Sequence, residues 1–185
     1  INRVEKFLDE YIEAGSDVIS FHLEIDEDIV KIIPRIKKKG LKCGLAIKPN
    51  TSWIEIQPYL NLIDQVIVMT VEPGFGGQAF MEDQIIKIKE ISNHLKSNNF
   101  NVEIEIDGGV NFETGQKCVE AGAESIELHA GVPDNSSTLK EWEIVSKSIP
   151  NGMISMCLDR KHLSNDDLIE RIEAAKEIAD DRLII

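Results

Sequence analysis

Short β-branched runs alternate with amphipathic segments along this chain, and that rhythm constrains the fold more than any other feature. The strand candidates are "DVISF" (17–21), "KCGLAI" (42–47), "QVIVM" (65–69), "VEIEI" (102–106), "ESIEL" (124–128), "GMISM" (152–156) and "RLII" (182–185). Helix candidates lie between them near 3–14, 26–39, 53–61, 81–98, 112–121, 137–147 and 164–179. Gly40 and Gly122 stand just past two of these helices, where a left-handed residue ends a helix. Ser164 precedes another, with Asp166 and Asp167 in its first turn. One unit takes about 20 to 30 residues, the spacing of parallel βαβ units. Such units build either a (β/α) barrel or an open doubly wound sheet. "AGSDVI" (14–19) and its echo "AGAESI" (121–126) favour the barrel, because a ring repeats its helix-to-strand joints. Seven strands are one fewer than a closed TIM barrel has. The expectation is an α/β fold, a TIM-type barrel that is incomplete or composite. One domain is expected over 1–185, with a sequence discontinuity near 127–138, where "AGVPDNSST" (130–138) interrupts the rhythm.

The 42% apolar content suits one domain with a real core. A net charge of −13 repels nucleic acid and anionic lipid, so neither is expected as a partner. A small anion is still admissible, since a few backbone amides bind it whatever the global charge. No apolar run is long enough for a transmembrane helix, and no signal peptide is visible. Cys43, Cys118 and Cys157 are odd in number and far apart, which predicts a reduced, cytoplasmic chain. Ile1 opens on a helix already in stride, so a processed start or an excerpt of a longer chain is expected. Oligomeric state stays open, a homo-oligomer included.

Two glycine-rich stretches follow strands. "EPGFGGQ" (72–78) follows "QVIVM", and "EIDGGV" (105–110) ends the next strand at Asp107. In parallel barrels the chemistry sits on loops at the C-terminal ends of strands. Glycines let the backbone approach a ligand and point successive N–H groups at an anion. Gly76 and Gly77, Gly108 and Gly109, with Asp107 between the pairs, describe a site for a small phosphorylated sugar. Plain βα turns are the alternative.

"FHLE" (21–24), "GLAIKPNT" (44–51), "VMTVEPGFGGQAFMED" (68–83), "EIDGGVNFET" (105–114) and "CVEAGAESI" (118–126) resemble ribulose-phosphate 3-epimerases in order and spacing. The resemblance covers about residues 1–126. It implies a TIM barrel that inverts C3 of D-ribulose 5-phosphate to give D-xylulose 5-phosphate, with a divalent metal cation (Zn, Fe, Mn or Co). Removing a proton beside a ketone needs a base and stabilisation of the enediolate, and a metal can hold the oxygens. By resemblance Asp107 is the acid/base and a metal ligand. Gly76, Gly77, Gly108 and Gly109 match the phosphate cradle, and Met69 matches a methionine lining the site. On periodicity alone Met69 is equally barrel core.

The chain also departs from the family. The first two βα units would precede Ile1, and they carry the other catalytic aspartate and both metal-binding histidines. His22 in "FHLE" matches a different family position and is either a site residue or a packed, hydrogen-bonded histidine. Glu105 is a candidate polar neighbour of Asp107. Lys48 either attracts a phosphate or neutralises nearby acids. Trp53 and Trp142 read as packing residues. From about residue 127 the chain resembles instead the last barrel segment of cobalamin-independent methionine synthase, carried by "GMISM" and "LSNDDLIERIEAA". There His129 would be a metal candidate, but no cysteine follows at the right distance, and Cys157 reads as a small buried residue. Beside the epimerase reading stand two alternatives: a catalytically incomplete or chimeric barrel without turnover, and a methionine-synthase-like methyltransferase barrel.

Overall fold

In the computed structural model the described residues are 3–75, 77–130, 147, 154–158 and 183–184. Helices α1 (Val4–Glu13), α2 (Ile29–Lys38), α3 (Gln84–Asn98) and α4 (Phe112–Ala121) alternate with strands β1 (Val18–His22), β2 (Lys42–Ile47), β3 (Gln65–Met69), β4 (Glu103–Asp107) and β5 (Ser125–Ala130). Strands β6 (Ile154–Leu158) and β7 (Leu183–Ile184) follow. The sheet runs β1 to β7 in chain order, and every neighbouring pair is parallel. A doubly wound sheet reverses its strand order at a switch point. No reversal occurs among the described strands, so the architecture is that of a (β/α) barrel. The predicted helices at 137–147 and 164–179, with Ser164 and Trp142, fall outside the described residues, apart from Lys147. So does most of the predicted discontinuity at 127–138.

The sheet has two unlike faces. Ile19, Phe21, Cys43, Leu45, Ile47, Val66, Val68, Ile104 and Ile106 pack against Leu8, Ile32, Ile33, Ile36, Ile88 and Ile91 from the helices, all at most 9% exposed. Burying one such aliphatic side chain is worth about 1.5–3 kcal/mol, so this layer dominates the stability. The opposite face carries a small cluster of Ala46, Ile67 and Met69. Polar side chains share that face, as the two-residue period of a strand requires: Ser20 and His22 on β1, Gln65 on β3, and Glu103, Glu105 and Asp107 on β4. Its crowding shows at Gly44, where a Cβ would stand 2.9 Å from Ile67 Cδ1 and 3.0 Å from Ser20 Cβ.

Three helix expectations needed correction at their edges. The segment predicted from residue 26 becomes helical only at Ile29, because Glu27 turns back to α1. Its carboxylate accepts N–H bonds from Arg3 (3.1 Å), Val4 (2.5 Å) and Glu5 (2.9 Å), placing negative charge on an N-terminus that favours it. The helix predicted at 53–61 is a 3₁₀ segment, Trp53–Tyr59, containing Pro58, which has no N–H to give to an α-helical bond. The helix predicted from 81 starts at Gln84, because Met81 N–H instead reaches across to Thr70 O at 2.9 Å. Gly15, Gly40 and Gly122 adopt φ of 90°, 79° and 112°, so the echoed joints are two left-handed helix ends.

Cys43 and Cys118 are fully buried free thiols. Burial, aided by the neighbouring charges of Asp64 and Glu82 respectively, pushes each thiol up to about 12. Because the thiolate is the reactive form, neither is expected to be alkylated by iodoacetamide at pH 8 until the protein unfolds. Fast labelling of either one in the folded protein would contradict this packing.

Candidate active site

A cavity of about 310 Å³ opens at the C-terminal ends of the strands. Among its lining residues are His22, Met69, Glu72, Gly77, Gln78, Asp107, Gly108 and Gly109. Strand pairing places Met69 directly beside Asp107. Both point into the cavity because they close the inner-face rows of β3 and β4. Four of the predicted cradle and catalytic positions, Gly77, Gly108, Gly109 and Asp107, therefore meet around one space with Met69. Gly76 lies outside the described residues.

The two glycine turns press on each other. Gly109 has φ +62°, and a Cβ there would stand 2.7 Å from Gln78 O and 2.7 Å from Phe80 N. Gly108 has φ +120°, and its Cβ would lie 2.5 Å from Val71 Cγ2. Both clashes are with the 71–80 loop, so glycine is what lets the turns converge. Thr70, fully buried, ties the same junction. Its N–H donates to Asp107 O at 2.8 Å, and its hydroxyl reaches Asp107 O at 3.1 Å and Gly108 O. Gln78 spans the 72–78 loop from inside, donating to Glu72 O (2.5 Å) and Phe75 O (2.8 Å). Asn50 fastens the loop to its neighbour through Glu72 Oε1 at 2.9 Å. Beyond Gly109, Asn111 begins α4 with a capping box, its Oδ1 accepting from Thr114 N at 3.0 Å.

A second polar group holds the β1–β2 side. Glu24 Oε1 accepts from Lys48 N–H at 2.9 Å and from the Thr51 hydroxyl, while Oε2 lies 3.3 Å from His22 Nδ1. Burial alone would raise the Glu24 carboxyl. The Thr51 and Lys48 hydrogen bonds and the nearby His22 outweigh it and hold the group below its ordinary value. Lys87 spans from α3 to Lys48 O (3.0 Å) and Pro49 O (2.6 Å). Burial lowers its ammonium, partly offset by Asp83, Glu24 and Glu72. Lys48 therefore acts here through its backbone, and it does not line the cavity. Glu105 faces inward, two residues below Asp107, and accepts a hydrogen bond from Gln65.

Trp53 proves to be a packing residue. It donates Nε1–H to Glu90 at 2.8 Å and sits 5.1 Å from the His94 ring. His129 lies on β5, in register with Cys157 on β6. The described residues contain no group of three His, Cys, Asp or Glu side chains able to hold a metal ion. They therefore do not by themselves make the divalent-cation site that the resemblance implied. No described helix is long and apolar enough to cross a membrane.

Sequence reasoning missed Glu24, Thr51, Thr70, Gln78 and Lys87 as organisers of the site. Only Gln78 carried a local signal, since it closes the glycine-rich stretch that it spans.

The model of the ribulose-phosphate 3 epimerase family matches residues 1–132. The chain is 36% identical over 124 residues to the chloroplastic ribulose-5-phosphate-3-epimerase of Arabidopsis thaliana, covering 66% of this chain and 44% of that protein. It is 34% identical over 141 residues to the ribulose-phosphate 3-epimerase of Bacillus subtilis, covering 76% of this chain and 65% of that one. The chain spans about half the length of the curated relatives it matches. Among solved structures, an archaeal fructose-1,6-bisphosphate aldolase superposes with a TM-score of 0.60 at 14% identity, over 97% of this chain and 74% of the other. At that identity the likeness is one of fold alone.

Proposed function

The chain belongs to the ribulose-phosphate 3-epimerase family, and we propose that it interconverts D-ribulose 5-phosphate and D-xylulose 5-phosphate by proton transfer at C3. The observation that carries this reading is the convergence of Asp107, Met69 and two mutually packed glycine turns on one cavity at the strand ends. Asp107 would take the C3 proton. The C–H electrons then move into the adjacent C2 carbonyl, giving an enediolate. A proton donated by water to C3 from the opposite face re-forms the carbonyl and completes the inversion, and Asp107 returns its proton to the solvent. The turns bearing Gly77 and Gly108–Gly109 would hold the phosphate, with Gly76 as a further member of the cradle. Backbone amides suit this task, because they bind an anion within a chain whose net charge is −13. Met69 would give the reacting carbons an apolar wall. In this reading Asp107 would also be a ligand to a divalent cation. The described residues do not by themselves complete such a site.

The phosphate cradle does not depend on turnover, so binding and catalysis are separable by measurement. The test is an assay of the purified protein with D-ribulose 5-phosphate, with and without added divalent cation. Formation of D-xylulose 5-phosphate, competitively inhibited by inorganic phosphate, is expected. A folded protein that forms no product in either arm would overturn the proposed activity.

A further inference from the structure

His22 lines the same cavity as Asp107 and carries an ordered support of its own. It closes the inner-face row of β1, as Asp107 closes that of β4. Its Nδ1 is 3.3 Å from Glu24 Oε2, and that carboxylate is fixed from the far side by Lys48 N–H and the Thr51 hydroxyl. Held as a carboxylate, Glu24 can only accept, so Nδ1 must carry the proton. A neutral ring then has its lone pair on Nε2, for which the described residues offer no hydrogen-bond partner. The imidazole is 24% exposed, enough to meet a ligand and too enclosed to swing freely.

We propose that His22 contacts the substrate, its Nε2 accepting a hydrogen bond from a sugar hydroxyl, with Glu24 as the positioning residue that fixes the ring's tautomer and orientation. This rests on the cavity being the sugar-phosphate site proposed above. Carboxylate-supported histidines elsewhere work in the same way, the acid selecting the nitrogen that faces the ligand. A histidine held only for packing would have no reason to keep a bare nitrogen at a cavity wall.

The test uses protein labelled with ¹⁵N in its histidine rings, titrated separately with D-ribulose 5-phosphate and with inorganic phosphate. His22→Asn identifies the His22 signals by their loss. The free protein is expected to show the Nδ1–H form. The sugar phosphate should shift the Nε2 signal, and inorganic phosphate, held by the glycine turns, should not. His22→Asn should weaken sugar-phosphate binding about tenfold and leave phosphate binding unchanged. Should His22→Asn fail to fold, Glu24→Gln serves instead, because its amide oxygen keeps the Lys48 and Thr51 bonds. In that variant the ring should switch to the Nε2–H form, with the same selective loss of sugar-phosphate affinity. An Nε2 signal unmoved at saturation, or equal losses for both ligands, would overturn the contact. Saturable binding without product would overturn the epimerase reading while leaving His22 in contact with the sugar. Absence of any sugar-phosphate binding would overturn both.

Discussion

Replacing Asp107 with Asn is expected to lower the proposed turnover of D-ribulose 5-phosphate by roughly 10²–10⁴-fold, the usual worth of a positioned general base. The unfolding midpoint is expected to stay close to that of the unaltered protein. The two expectations follow from different atoms of one residue. The carboxylate lines the cavity and would receive the C3 proton. The carbonyl of Asp107 accepts from Thr70 N–H and hydroxyl and holds β3 to β4, and the substitution leaves it in place. The amide matches the acid in shape but has no lone pair basic enough to take a carbon-bound proton. Substrate binding through the glycine turns should change little, so the loss belongs in kcat. Steady-state kinetics with a thermal melt measure both. Undiminished kcat would remove Asp107 from the chemistry, and a collapsed melt would make it a structural residue.

Gly109→Ala is expected to be the most damaging single-methyl change at the site. A left-handed backbone costs a non-glycine residue about 1–2 kcal/mol. At φ +62° the new Cβ also meets main-chain atoms of Gln78 and Phe80 at 2.7 Å, and backbone cannot rotate away as a side-chain tip can. Overpacking of this kind adds about 1–3 kcal/mol, so a total of about 2–5 kcal/mol is expected. Gly15→Ala is the control. It shares a positive φ, +90°, but has nothing within 4 Å of the added methyl, so it should show the backbone cost alone. Urea unfolding of both variants isolates the packing contribution. Phosphate affinity should fall in the Gly109 variant and not in the Gly15 variant. Equal destabilisation of the two would mean that the turns do not rely on contact with each other.

Much of the architecture could be read along the chain. Strands β1 to β4 begin and end within one residue of the segments read from β-branched runs, because a strand buried on one or both faces must write its apolar pattern locally. The glycine turns were equally legible, since closely approaching backbone leaves few other residue types possible. Helix starts were harder. Residues 26–28 look helical by composition, yet the Glu27 carboxylate is spent on three amides at α1, more than twenty positions away. The site's supports were invisible for the same reason. Thr70 acts on Asp107 across 37 positions, Thr51 on Glu24 across 27, and Lys87 on Lys48 across 39.

The order of the amino acids alone determined the parallel α/β class, the strand positions and the two flexible turns beside an acid. Each of these depends on neighbours a few residues apart. Only the tertiary structure decided that the two turns touch, that Met69 stands beside Asp107, and that Glu24 lies against Nδ1 of a cavity-lining His22. Those outcomes depend on strand register and on hydrogen bonds closing over long loops, and no local pattern of residues encodes a distance across the sheet.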